Sequence, residues 1–378
     1  MPQAVENRLP LLLPGTLLLI ASGWYSSLAA SNPADIPLTE ATPESQNLDS
    51  RKLNQAISKI DNREYGNIDA LLVVRNNYLV LEKYFSPEYH GREYRRPVLS
   101  VTKTITSALI GIAIEQGKIE GVKTKLLDYF PEYEDIQNLD ARKQKITLDN
   151  LLTMTAGFRW NELAISYADP QNDFNIMVRS PDWVKHVIDS PMSHAPGEYL
   201  NYNSGCTFLL SSILQKSTGQ TAEDFAIENL FKPLGIEKYS WTLARGGLTN
   251  TYSGLAMRRR DLAKFGILFL NNGRWLDRQL ISQEWVQQST SKHVNADPDS
   301  DDSSYGYGYQ WWKFQDQDPT IANLAINDVY FAWGYGGQFI FVVPHLDMVV
   351  VSTADIYAAE YRRFFDLLRD HIFPAVLD

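Results

Sequence analysis

Runs with β-forming character stand near the start and near the end of this chain and scarcely between, so any sheet has to be built from both ends. Residues 70–85, ALLVVRNNYLVLEKYF, read as two strands around Asn76-Asn77, a pair that tolerates the left-handed backbone of a tight turn. Late in the chain Tyr305, Tyr307, Tyr309 and Trp311 alternate with Gly and Gln, and GQFIFVVP followed by LDMVVVST predicts a second hairpin around Pro344 and His345. Leu53, Ala56, Ile57 and Ile60 predict a helix ahead of the first hairpin, and Phe364, Phe365, Leu367, Leu368 and Ile372 predict one at the end. From about residue 120 to 272 helical spacing dominates, punctuated by Phe130-Pro131, Ser180-Pro181 and Pro196-Gly197. The expected fold class is therefore α/β of the α+β kind. An antiparallel sheet is flanked by N- and C-terminal helices, an α-rich part is inserted, and a cleft lies between. The division places 49–115 and 300–378 in the α/β part and 116–299 in the α-rich part of one domain, 49–378.

Ahead of that domain, Arg8 is followed by LPLLLPGTLLLIASGWYSSLAAS, an apolar run closed by small residues. Residues 1–30 are expected to be a signal peptide, cut near Ala29 or Ala30, or an N-terminal membrane anchor, since the run approaches the roughly 20 residues that span a bilayer. Either way the globular part would be exported. Residues 31–48, rich in Pro, Asn, Thr and Glu, read as a linker. Cys206 is the only cysteine, so no internal disulfide can form. A formal charge of −10, with no long block of either sign, argues against nucleic acid as a partner. The acidic stretch 297–302 lacks glycine-centred calcium-ligand spacing and reads as a solvated loop.

The chemistry is concentrated in 99–117, LSVTKTITSALIGIAIEQG. Pro97 precedes it, Ile105, Leu109, Ile112 and Ala113 recur at helical spacing, and Gly117 marks the end. Ser100 and Lys103 then share one face of a helix, with the amine within reach of the hydroxyl. A serine hydroxyl is a weak nucleophile, and an adjacent lysine is one way to activate it without histidine. The plainer reading is an N-capping serine beside a solvated lysine, and Ser289 with Lys292 matches the same spacing without a long apolar helix behind it. Two further stretches bear on the choice. PGEYLNYNSG, 196–205, carries Tyr202, a phenol able to pass protons to and from Ser100 if Lys103 lowers its pKa. WGYGG, 333–337, opens an apolar strand with glycines that let backbone approach a ligand, and the N–H groups of Tyr335 and Ser100 would suit an oxyanion.

In this order and at these intervals, SVTK, YNS and GYG resemble the S-x-x-K, Y-x-N and K-T-G elements of the serine β-lactamase and penicillin-binding protein superfamily. LLTMTAGF, 151–158, and PGEYLNYNSG look like its class C β-lactamase-like esterase branch, which includes 6-aminohexanoate-dimer hydrolase. The resemblance runs from about residue 53 to the C-terminus. It implies a β-lactamase-like fold, Ser100 as nucleophile, Lys103 as base and Tyr202 as the second-motif tyrosine. Tyr199-Leu200-Asn201 is a literal Y-x-N, but the spacing of Tyr202 from Pro196-Gly197 and the Ser-Gly that follows it fit the family better. Ser204 stands where asparagine is usual, and Gly334 replaces the lysine of K-T-G, whose cation holds a substrate carboxylate. Both departures favour the esterase and amide-oligomer branch over penicillin turnover or cell-wall peptide trimming. Ser204, Gly334, Gly336 and Gly337 are implied to line the substrate cleft; by the same analogy Trp160, Glu162, Tyr167 and Asp169, which follow LLTMTAGF, are candidates to line it, the alternative being plain loop residues. The expectation is a serine hydrolase acting on a small ester, amide or short oligomer through an acyl-enzyme. The competing readings are a β-lactamase or D,D-peptidase, or a non-enzymatic sensor on the same fold. None of the six histidines has zinc-ligand spacing, and neither a G-x-S-x-G elbow nor a phosphate loop is present, so no metal or cofactor is expected.

Overall fold

A computed structural model describes residues 37–377 except 90, 297–304, 316–317, 322–327 and 358–360. All of these belong to one unit, residues 33–378. The apolar run within 1–30 and the acidic stretch 297–302 lie outside the described residues. Among the described residues no helix is long and apolar enough to cross a membrane.

The first hairpin pairs Ile68–Arg75 with Tyr78–Tyr84 and turns on Asn76 and Asn77, at φ 51° and 65°. Two left-handed residues in succession match the right-handed twist of the flanking strands, which is why an Asn-Asn pair serves here. The second pairs Gln338–Val343 with Met348–Ala354 across a short turn, Pro344–Leu346, and a left-handed Asp347. The two ends of the chain then meet directly. Ile68–Arg75 runs antiparallel beside Met348–Ala354, with Leu72 opposite Val351 and Val73 opposite Val350. Outward from the second hairpin the sheet, eight-stranded among the described residues, continues through Tyr330–Gly334, Trp312–Phe314, Tyr305–Tyr307 and Val294–Asn295.

The central strands are buried at every position, so the sheet needs a cover on both faces. Alternation assigns the covers. Phe339 and Phe341 stack on Phe364 of the C-terminal helix Arg362–Leu367. Ile340 and Val349 face Gly266 of helix Arg259–Leu270 so closely that a Cβ at residue 266 would sit 2.5 Å from Val349. This helix and the strand Val294–Asn295 come from the stretch assigned to the α-rich part, 116–299, yet they belong to the sheet layers. The reason is physical: strands apolar on both faces must recruit a second layer, and the two terminal segments supply only one.

The described part of the stretch read as a linker, 37–48, is also docked on the domain. Leu38 and Leu48 are buried, Ala41 N–H donates to the Leu79 carbonyl while Leu79 N–H donates to the Thr39 carbonyl, and Leu377 N–H donates to the Asn47 carbonyl. Its polar composition hid two leucines with partners. Helix Ser50–Asp61 follows, capped by Asp49 and burying Leu53, Ala56 and Ile60.

Helix Val101–Glu115 lies between the sheet and the helical layer and is buried continuously from Val101 to Ala113. It packs against helix Ser204–Thr218. The chain leading into it is fixed by charge. Arg96 Nε lies 3.1 Å and Arg259 Nη2 3.3 Å from the two oxygens of Asp69, whose side chain is 1% exposed. Arg96 also donates to the Ala354 carbonyl at 3.0 Å and Arg259 to the Thr353 hydroxyl at 3.0 Å. Asp69→Ala leaves two buried guanidinium groups without their shared counterion, and is expected to lower unfolding free energy by about 3–5 kcal/mol. Urea unfolding followed by circular dichroism measures this; a loss under about 1 kcal/mol, the scale of an exposed pair, would show that the cluster does not hold this corner.

Candidate active site

Leu99 adopts a left-handed backbone, φ 49°, which is strained for a residue with a Cβ and turns the chain sharply into helix Val101–Glu115. Ser100 occupies the N-cap position, but its side chain makes no capping hydrogen bond. The hydroxyl is instead bound to Lys103, whose Nζ donates to Ser100 Oγ at 3.1 Å and to the Tyr252 carbonyl at 3.0 Å. Lys103 is 2% exposed. The reading as a capping serine beside a solvated lysine therefore does not hold. Neither does the second match: Ser289 is buried and its hydroxyl donates to the Val286 carbonyl, while Lys292 is exposed.

Tyr202 comes to the pair from the segment ahead of helix Ser204–Thr218. Its hydroxyl interacts with Ser100, and the Lys103 amine lies 5.0 Å from the centre of its ring. Three residues from separate segments thus meet: an alcohol, an amine and a phenol. Tyr199 does not join them; it stacks on His194 at 5.1 Å near the rim. Asn201 ties the same segment to the neighbouring loop through the Phe158 and Trp160 carbonyls, at 3.2 and 3.0 Å.

Burial sets the protonation of the pair. Desolvation pulls the Lys103 amine down to about 8, against the opposing pull of the Glu162 charge. A substantial share of Lys103 is therefore neutral near pH 8, as a base must be. Tyr202 moves the other way. Burial and the Glu162 charge push its phenol well above the usual tyrosine range, and the bond with Ser100 offsets only part of this. The expectation that Lys103 would lower the Tyr202 pKa is overturned, because the phenol is 8% exposed and a carboxylate stands nearby. Tyr202 is thus a neutral proton donor at rest, and the amine is the base.

Ser100 opens into a cleft of about 650 Å³. Trp160, Tyr167, Tyr335, Gly336 and Gly337 line it. Ser204 and Gly334 do not. Ser204 is 2% exposed beneath the floor, where its N–H and hydroxyl both bind Glu162. Gly334 lies against the chain leading to Ser100; a Cβ there would meet the Val98 carbonyl oxygen at 2.4 Å. A lysine at this position, as in K-T-G, has no room without moving the nucleophile segment. Asp169 is spent on its own turn, accepting from the Gln171 N–H at 2.8 Å. Tyr335 is half exposed and meets Tyr167 edge to face at 5.5 Å, so two aromatic rings from different segments approach each other at the cleft.

Sequence reasoning missed Trp312, Trp333 and Ile356 as cleft walls and the Tyr252 carbonyl as a Lys103 partner. An aromatic strand run was visible around 305–311, but which face it turns to a ligand depends on pairing with distant strands. The Tyr252 carbonyl carries no side-chain signal at all.

Comparison with known proteins finds relatives in sequence and in fold. The 6-aminohexanoate-dimer hydrolase of Paenarthrobacter ureafaciens is 23% identical over 311 residues, 76% of this chain and 72% of its own length. A provisionally named D-alanyl-D-alanine carboxypeptidase of Salmonella agona (strain SL483) is 26% identical over 60% of this chain, which spans only 54% of that relative's length. A provisionally named 6-aminohexanoate-dimer hydrolase from Bacillus anthracis superposes with a TM-score of 0.70 at 19% identity, covering 89% of this chain and 87% of its own, and so shares the fold. The model of the family described as Beta-lactamase matches residues 67–359, most of the described structure. With that match, and a β-lactamase-like sheet and helical layer enclosing a paired serine and lysine, the chain belongs to the beta-lactamase family of serine hydrolases.

Proposed function

We propose that this protein hydrolyses esters or linear amides of small molecules or short oligomers through an acyl-enzyme on Ser100. One observation carries the reading. The Ser100 hydroxyl faces an open cleft and is held at 3.1 Å by an amine whose pKa burial pulls down to about 8. Neutral Lys103 takes the hydroxyl proton as Oγ attacks the substrate carbonyl. The N–H groups of Ser100 and Tyr335 hold the oxyanion, each worth about 3–4 kcal/mol of barrier. As the tetrahedral adduct collapses, Tyr202 gives its proton to the departing oxygen or nitrogen and recovers one from the Lys103 ammonium. Water then attacks the acyl carbon, giving its proton to the same groups, and Ser100 leaves with a proton restored. Aromatic walls from Trp160, Trp312 and Trp333 suit an extended, largely apolar acyl group. The apolar run within residues 9–30 supports a place of action outside the cytoplasm.

Labelling with a fluorophosphonate, read by mass spectrometry, tests this. The adduct is expected on Ser100, and the labelling rate is expected to rise about tenfold per pH unit up to about pH 8 and then level, because only the neutral amine accepts the proton. An adduct elsewhere, or a rate flat between pH 6 and 9, defeats the proposal.

A second reading, β-lactamase or D,D-peptidase, is favoured by the Salmonella relative. The close approach of Gly334 to Val98 opposes it, since the usual carboxylate-holding cation has no place there. Turnover of nitrocefin, or stable labelling by a fluorescent penicillin, would restore it.

A further inference from the structure

Glu162 takes no step in the reaction above, yet it lies on the cleft at 2% exposure. Its carboxylate accepts four hydrogen bonds. The Trp160 indole N–H and the Tyr167 hydroxyl reach it at 2.9 Å each, the Ser204 N–H at 2.8 Å and the Ser204 hydroxyl at 2.6 Å. With its lone pairs so engaged it cannot also receive a substrate proton, so it is no general base. Its donors belong to two segments the site depends on. Trp160 and Tyr167 stand on a cleft-lining loop; Ser204 opens helix Ser204–Thr218, two residues after Tyr202. Asn172 braces the loop further, donating to the Glu162 and Ile165 carbonyls at 2.8 and 2.7 Å. Serine in place of the usual asparagine leaves room for the carboxylate to take both its N–H and its hydroxyl.

We propose that Glu162 is a positioning residue of this site: a buried anion that ties the Tyr202 segment to the cleft loop and fixes the charge balance around Ser100. The inference rests on the acyl-transfer reading. Its charge reaches groups on every side. These are Lys103 on the nucleophile helix, Tyr202 and Cys206 about the start of the second helix, Tyr167 on its own loop, Tyr252 on the loop that binds Lys103, and Tyr307 on the sheet. Lys103 is the one cation among these six. The anion favours its ammonium form, which holds the pH at which Lys103 becomes a base above what burial alone would set, and it disfavours the Tyr202 phenolate, so the phenol keeps its proton at rest.

The sign of the effect makes it testable. In Glu162→Gln the opposing charge is gone and burial acts on Lys103 alone, so the amine becomes neutral at lower pH. The acid limb of fluorophosphonate labelling of Ser100 is expected to move down by about half a pH unit or more. The plateau is expected to fall about tenfold or more, because an amide offers one acceptor oxygen and turns its NH2 toward donors. Glu162→Asp keeps the charge but shortens the reach, so its plateau should fall while its limb stays at the wild-type pH. An acid limb of Glu162→Gln superimposed on that of the wild type overturns the proposal. Should that variant not fold, as judged by near-UV circular dichroism, Ser204→Ala removes one bond and keeps the anion. A plateau several-fold lower at an unmoved limb supports the role, and an unchanged plateau overturns it. Absence of labelling in the wild type would instead defeat the acyl-transfer reading itself.

Discussion

Ser100→Ala is expected to lower kcat for ester hydrolysis by roughly 10⁴–10⁶, and Lys103→Met by a similar factor, with the double variant no worse than either alone. Non-additivity is the informative part. The hydroxyl attacks only if its proton leaves, and the Lys103 amine donates to that hydroxyl and to the Tyr252 carbonyl. Once either member is gone, nothing remains for the other to contribute, while substrate binding and the oxyanion donors still act. Methionine is the better replacement because Lys103 is buried and its stem fills space on the helix face. The change leaves the Tyr252 carbonyl without its donor, so about 1–3 kcal/mol of stability should go with it. Steady-state kinetics on a chromogenic ester, with a melting curve for each variant, separates the two effects. Losses that multiply in the double variant would show that serine and lysine act independently, and the proposed proton transfer would fall. Lys103→Arg should not rescue, because a guanidinium stays charged at any working pH.

The parts of this molecule that were legible in the sequence are those written in local spacing. Ser100 and Lys103 share a face because residues three apart on a helix must, and Asn76-Asn77 turns because asparagine tolerates positive φ. The strands within each hairpin follow from apolar runs around a turn. Pairing between hairpins is another matter. That Leu72 lies opposite Val351 is settled by the packing of Phe339 and Phe341 against Phe364 on one face and Ile340 against Gly266 on the other. No short window of sequence contains that information. The helix Arg259–Leu270 was misassigned for the same reason: its helical character was visible, its partner was not.

Electrostatics was the least legible layer. The direction of the Tyr202 shift depends on its burial and on Glu162, and neither can be read from a tyrosine in a polar turn. Glu162 was legible only as a candidate for the cleft wall or a plain loop carboxylate, with nothing to mark its partners. Only in three dimensions do an indole, a phenol, a hydroxyl and a helix N–H converge on it. Gly334 shows the converse. Its departure from K-T-G was plain in the sequence, but the cause, a Val98 carbonyl with no room for a side chain, is tertiary.

Tyr202→Phe is expected to lower kcat by about 10²–10⁴ on an amide or an alkyl ester, whereas Tyr199→Phe should stay within about threefold of the wild type. The two tyrosines differ by position rather than by type. The Tyr202 hydroxyl interacts with Ser100 beside Lys103, while Tyr199 packs against His194 near the rim. Removing the Tyr202 hydroxyl leaves its ring stacked near Trp312, at 6.1 Å, so the fold should hold and the loss should be chemical. The leaving group then distinguishes proton donation from mere support. An amine or alkoxide has to be protonated as it departs, and the Tyr202 phenol, held neutral by burial, is placed to do so. A p-nitrophenolate leaves without a proton, so the same variant should lose at least about tenfold less on a p-nitrophenyl ester than on an alkyl ester of the same acid. Equal losses on both esters would make Tyr202 a part of Ser100 activation rather than the donor to the leaving group. A larger loss in Tyr199→Phe than in Tyr202→Phe would move the second element to Tyr199-Leu200-Asn201 and with it the whole proton path.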